Sequence, residues 1–162
     1  MAKGNQLTFT LEGAEILYHN FEGRINEYNK EGKKSMAILL PPAFAEQLRR
    51  DGWHVNETKA EDEEAGEMGR PFINIKINFK FKPPRVILVT STGMTPLTEH
   101  SIGMLDDADI ANLDLTCVGS NWEIGPNTGI SCYLQKAYFT INEDVLDKKY
   151  GFGFLSDGPD DE

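Results

Sequence analysis

The side chains with the most definite chemistry in this sequence are cations at alternate positions. From Arg70 to Arg85 the chain reads RPFINIKINFKFKPPR, with five basic residues and no acid. Ile73, Ile75, Ile77, Phe79 and Phe81 take the odd positions, and Asn74, Lys76, Asn78, Lys80 and Lys82 the even ones. Successive side chains of a strand point to opposite faces, so this period predicts one face for a core and one row of ammonium and amide groups. Such a row holds an anion by charge and does not transform it. A second basic cluster lies upstream in Arg24, Lys30, Lys33 and Lys34, offset by Glu27 and Glu31. Aromatic rings are interleaved: Tyr28 beside the first cluster, Phe72 on the polar side of the basic strand, and Trp53 and Trp122 each opening a strand near a loop. Cations that track phosphates, with rings that stack on bases at about 1–3 kcal/mol per base, suit a single-stranded nucleic acid. The same residues have plainer readings. Lysines commonly supply a solvated strand face, and core packing accounts equally well for either tryptophan.

Signs of catalysis are few. His19, His54 and His100 are isolated from one another, without metal-ligand spacing, and there is no nucleophile elbow, phosphate-binding glycine loop or CxxC pair. Asp106, Asp107, Asp109 and Asp114 could cage a divalent cation, but their spacing fits no calcium loop, and a solvated loop is the better account. No catalytic residue, metal or cofactor is expected. Cys117 and Cys132 read as two small thiols in a reducing compartment rather than a disulfide.

These groups need a scaffold, and 162 residues suffice for one domain with its own core. The formal net charge of -10 is unevenly placed: Glu57 to Glu67 carries -5 and Asp157 to Glu162 carries -4, leaving -1 for the rest. An acidic total is therefore compatible with a cationic groove. No apolar run approaches 18 residues and the opening MAKGNQ has no apolar core, so neither a membrane span nor a secretory signal is expected.

The pattern is strand-rich. Leu7 to Leu11 and Glu15 to Phe21 form one bent strand or two, divided at Gly13, before a polar loop from Gly23 to Lys34. Ser35 to Leu40 suits a buried strand. Pro41 and Pro42 start a short helix with Phe44, Ala45 and Leu48 on one face, stopped by Gly52. Trp53 to Thr58 resumes as strand ahead of an acidic loop at about 57–69. The basic strand and Arg85 to Ser91 are expected to form a hairpin across Pro83-Pro84, with Phe79 and Phe81 in the core. Further on come a helical turn at Ser101 to Leu105, short strands at Asp114 to Val118 and Asn121 to Ile124, and a turn at Pro126 to Gly129. The long strand Gly129 to Ile141 shifts phase partway, which leaves its buried face open, and a helix is expected from Glu143 to Tyr150. The fold class is all-β with one or two short helices, arranged as a closed or nearly closed small barrel. It spans residues 1–152, and a flexible acidic tail follows at 153–162.

The phrases NFEGRINEYNKEGKKSMAILL, LRRDGWHV, GRPFINIKINFKFKPPRVILV, MLDDADIANLDLTCVGSNWEI and GISCYLQKAYFTI, in that order, resemble single-stranded DNA-binding proteins of tailed bacteriophages. The resemblance covers roughly residues 7 to 150. It implies an OB-fold barrel that coats single-stranded DNA during replication and recombination, without enzymatic activity, in the cytoplasm of the infected host. Carried over to this chain, the implied contacts are Arg24, Lys33, Lys34, Trp53, Lys76, Lys80 and Lys82. Tyr28, Lys30, Arg70, Phe72, Arg85 and Trp122 join them from the basic and aromatic pattern. The resemblance also implies an acidic end, Asp157, Asp160, Asp161 and Glu162, that meets replication or recombination proteins. The acidic loop departs from a purely cationic site and would shield part of it. The alternative is a phage-encoded interaction module, an inhibitor or adaptor acting through its acidic surface. An exposed strand edge would permit a homodimer, though nothing in the sequence marks one.

Overall fold

Gly13, at a φ of 65°, bends the first strand into two segments, β1 (Thr8–Leu11) and β2 (Glu15–Asn20). The structure is a computed structural model that describes residues 7–27, 29–58, 69–80 and 82–143. β3 (Lys34–Leu39) leads into a helix, α1 (Pro42–Arg50), and β4 (Asn56–Glu57) is a two-residue strand. β5 (Pro71–Ile77) is the basic strand; β6 (Arg85–Thr90) and β7 (Gly93–Leu97) form a hairpin, and a 3₁₀ segment follows at Ile102–Asp107. β8 (Ile110–Ile124) and β9 (Asn127–Ile141) complete the chain of elements.

Hydrogen-bonded order runs β1-β8-β9-β5-β3-β2. β1 and β2 are the two ends of this path and, among the described residues, do not pair with each other, so the sheet is open and wraps one hydrophobic core. This is an all-β, OB-fold-like small barrel. Its interior takes Ile73, Ile75 and Ile77 from β5, Met36 and Ile38 from β3, and Phe21 against Phe139 edge to face at 5.4 Å. α1 starts as expected with a proline in its first turn, buries Ala45 and Leu48, and is followed by Gly52 at a φ of 100°.

Several expected elements differ. β5 ends at Ile77 rather than continuing to Lys82, because Asn78 Oδ1 accepts the Lys80 N–H at 2.9 Å and turns the chain aside. β5 and β6 are not a hairpin. Both run parallel to β9, in line with each other, with Lys76 opposite Tyr133 and Arg85 opposite Lys136. The reason is space: β3 fills one edge of β5, while β4 and β9 share the other. The strand expected from Trp53 shrinks to a bridge between Trp53 and Ile130 plus β4. β7 was hidden by Pro96, which is tolerated because, among the described residues, β7 pairs only with β6.

β8 is one continuous strand, not two, and its turn to β9 is Gly125-Pro126, with Gly125 at a φ of 59°. Two-residue hairpin turns need that conformation at their first residue, which glycine supplies. The phase shift in β9 is a β-bulge. Thr116 faces Lys136 and Cys117 faces Leu134, so Gln135 is the extra residue. Ile130, Cys132 and Leu134 point inward before it, and Ala137, Phe139 and Ile141 after it. Cys117 and Cys132 are free, buried thiols; burial first, and then the neighbouring Cys132, push the Cys117 thiol well up. The expected final helix, Phe81, most of the acidic loop and the C-terminal tail lie outside the described residues.

Candidate nucleic-acid interface

The outer face of β2, β3 and β5 is built to be concave. On β3 the outward residues are small, Ser35 and Ala37, with Lys76 and Asn74 opposite them on β5 and Asn20 and Tyr18 on β2. Tyr18 reaches across the depression, and its hydroxyl donates to Asn74 Oδ1 at 2.9 Å. Phe72 meets the Tyr18 ring edge to face at 5.9 Å and backs this bridge. Beyond it lies a groove of about 880 Å³, rimmed by Lys33, Lys34, Lys76 and Lys80 and lined also by Tyr18, Phe79 and Tyr133.

Each lysine is held differently. Lys33 Nζ meets Glu31 Oε1 at 2.7 Å, and their hydrogen bond and mutual charge raise the lysine and lower the glutamate. The pair is exposed, so solvent screens it and an incoming phosphate can displace the carboxylate. Lys34 Nζ donates to the Glu22 carbonyl at 3.0 Å. Lys76 Nζ sits 5.6 Å from the centroid of the Tyr133 ring, a cation–π contact at the mouth of the groove. Lys80 reaches the rim through the Asn78 turn rather than through strand alternation.

The loop between β2 and β3, which carries Lys33, is stiffened by asparagines. Asn20 Oδ1 accepts the N–H groups of Gly23 and Arg24, at 3.0 and 2.9 Å. Asn29 donates to the carbonyls of Arg24 and Lys33 and accepts the Lys33 N–H at 2.9 Å. The loop is fastened to the barrel by Asp106. Its carboxylate accepts the backbone N–H of Phe21 at 2.8 Å and of Glu22 at 2.9 Å, with His19 Nδ1 at 2.7 Å. Burial alone would raise this carboxyl, but the two backbone donors and the histidine outweigh it, and the net shift is downward. Asp106 thus has a structural task in place of the cation cage considered above. Among the described residues no cluster of His, Cys, Asp and Glu could hold a metal ion.

The expected contacts divide into four groups. Lys33, Lys34, Lys76 and Lys80 converge on the groove, and Phe72 supports it. Arg24, Lys30, Arg70, Lys82, Arg85 and Trp122 are exposed but do not line it. Arg24 Nε pairs with Glu22 at 3.2 Å, and Arg70 with Glu15 at 3.4 Å, six residues or roughly 20 Å along the strand from Lys76. Lys82 departs from the expected strand row and takes a φ of 53°. Trp53 is the clear correction: it is 4% exposed, with Phe9 edge to face at 5.1 Å, and belongs to the core. A Cβ on Gly119 would stand 2.8 Å from its ring, so β8 packs against the indole closely enough to require glycine there. Trp122 is 40% exposed on the free end of the β8–β9 hairpin and packs over Gly129, its cross-strand partner. Tyr28 and the acidic tail residues Asp157, Asp160, Asp161 and Glu162 lie outside the described residues.

Tyr18 and Tyr133 line the groove but were not singled out from the sequence, and His19, read there only as an isolated histidine, lines it as well. Tyr18 had a signal, as a ring on the outward side of a predicted strand. Tyr133 did not, because the bulge at Gln135 hid which side of β9 faces out.

A family model described as "Putative phage ssDNA-binding domain" matches residues 3–154. None of the curated proteins matches the chain. Among solved structures, the single-stranded DNA-binding protein of bacteriophage Enc34 is 10% identical, with a TM-score of 0.54 over 85% of this chain and 83% of that one. The same phage protein in complex with ssDNA is 11% identical, with a TM-score of 0.56 over 85% and 88% of the two chains. At these identities the likeness is one of fold.

Proposed function

The chain belongs to the phage single-stranded DNA-binding domain family, and from that premise we propose that it coats single-stranded DNA without regard to sequence and does no chemistry on it. The observation that carries this reading is the groove itself: four lysines rim one depression that also presents tyrosine and phenylalanine rings. Phosphates take the ammonium groups, and bases lie on Tyr18, Phe79 and Tyr133. Asn74 and Asn78 line the same space, and their amide NH2 groups can donate to any base, whereas the amides of Asn20 and Asn29 hold the loop together.

The setting we assign is phage replication and recombination in the cytoplasm of the infected bacterium. The acidic residues Asp157, Asp160, Asp161 and Glu162 then serve as the contact for replication or recombination proteins. An interaction module acting through acidic surface has less support, since it leaves the convergence of four lysines unexplained. Competition tests the proposal. Labelled oligo-dT on the protein is expected to be displaced by unlabelled dA and dC strands within a few-fold of dT, and far less well by duplex of equal length. A marked preference for one sequence, or for duplex, would contradict it.

A further inference from the structure

Arg85 on β6 and Lys136 on β9 are direct cross-strand partners, and both are exposed. Like charges placed directly opposite each other on a sheet are destabilising. Neither cation has an ion pair with a carboxylate among the described residues. Lys136 lies opposite Thr116 on its other side, and Thr116 lies opposite Thr10, with the two hydroxyls 2.9 Å apart. One row across four strands thus reads guanidinium, ammonium, hydroxyl, hydroxyl. That is the donor set of a phosphate site.

The row adjoins the groove. On β9 the bulge at Gln135 turns Tyr133 and Lys136 to the same outer face, and Tyr133 is the ring under Lys76 at the groove mouth. Tyr138, partly exposed, follows one row further on, opposite Ile87 and Asp114. The Asp114 carboxylate is engaged, its Oδ1 accepting the Gly13 N–H at 2.8 Å. We infer that the single strand does not stop at the groove: it passes over Tyr133 and continues along the outside of β9, with a phosphate on the Arg85–Lys136 pair and Tyr138 beyond it. The added track spans two rows, roughly 13 Å. This inference rests on the reading of the groove as the single-strand site.

A ladder of oligo-dT lengths, titrated into wild type and into the Arg85→Ala/Lys136→Ala double variant, separates the two ideas. Short strands that fill only the groove are expected to bind both proteins equally. For longer strands the double variant should fall behind by about tenfold, and the slope of log affinity against log salt should shrink by about 0.7 for the one lost phosphate contact. Its melting temperature should stay level or rise, because two adjacent like charges are gone. The single Lys136→Gln change, which keeps the side-chain length, should give about half the loss in slope. A double variant that matches wild type at every length and salt overturns the extended track and leaves the groove reading intact. Equal losses for short and long strands also overturn it, since the pair would then belong to the groove. Wild type binding no strand of any length would overturn both.

Discussion

Replacing Lys33, Lys76 and Lys80 together with glutamate is expected to lower affinity for oligo-dT by about a hundredfold or more at low salt, with the fold retained. All three are exposed, and none is part of the core. The change does more than delete three cations. Glutamate at 33 would stand beside Glu31, and glutamate at 76 would replace the ammonium over the Tyr133 ring with a charge that the ring repels. The remaining rim would hold Lys34 alone among the four lysines, against Glu31 and Glu99. With about three phosphate contacts gone, the salt slope should flatten by about 2. Lys82→Glu is the matched control, since Lys82 is exposed but does not line the groove, and it should change affinity only slightly. Melting temperature monitors the fold; unchanged affinity in the triple variant would mean that the strand binds elsewhere.

Asp106→Ala should destabilise the protein by about 2–3 kcal/mol at neutral pH, because the Phe21 and Glu22 N–H groups lose a charged acceptor. For a domain of this size that is a fall in melting temperature on the order of 5–10 °C. The pH dependence has a definite sign. The Asp106 carboxyl is lowered in the folded protein, so the unfolded chain takes up its proton first as pH falls. Its contribution is therefore complete above the ordinary carboxylate range, near 4, and is lost as pH drops through the lower folded value. Thermal melts of wild type and variant should differ most at pH 7, and the gap should begin to narrow below about pH 4. A gap that stays constant down to pH 3 would contradict this role. The variant should also bind oligo-dT more weakly, because Asp106 anchors the start of the loop that carries Lys33.

How far the sequence carries depends on the range of the forces involved. Strand alternation is local, so Ile73, Ile75 and Ile77 were legible as core, and Asn74 and Lys76 as the opposite face. The helix was legible from its proline start and glycine stop. The partner of each strand was not. That β5 and β6 share one edge of β9 depends on which edges other strands have already filled, and no window of sequence holds that information. Trp53 was ambiguous for a related reason: its neighbours Phe9, Gly119 and Ile130 come from distant segments. The bulge at Gln135 could be sensed as a phase shift, but only the pairing with β8 fixes which face Tyr133 and Lys136 share. Lys80 lines the groove, but through a turn at Asn78 where a strand was expected.

The most direct test of the central claim is an equilibrium titration of the intact protein with oligo-dT at two salt concentrations. The predicted result is tight binding at low salt that weakens steeply as salt rises, in proportion to the phosphates neutralised along the lysine-rimmed groove. No binding at low salt, or an affinity indifferent to salt, would contradict it.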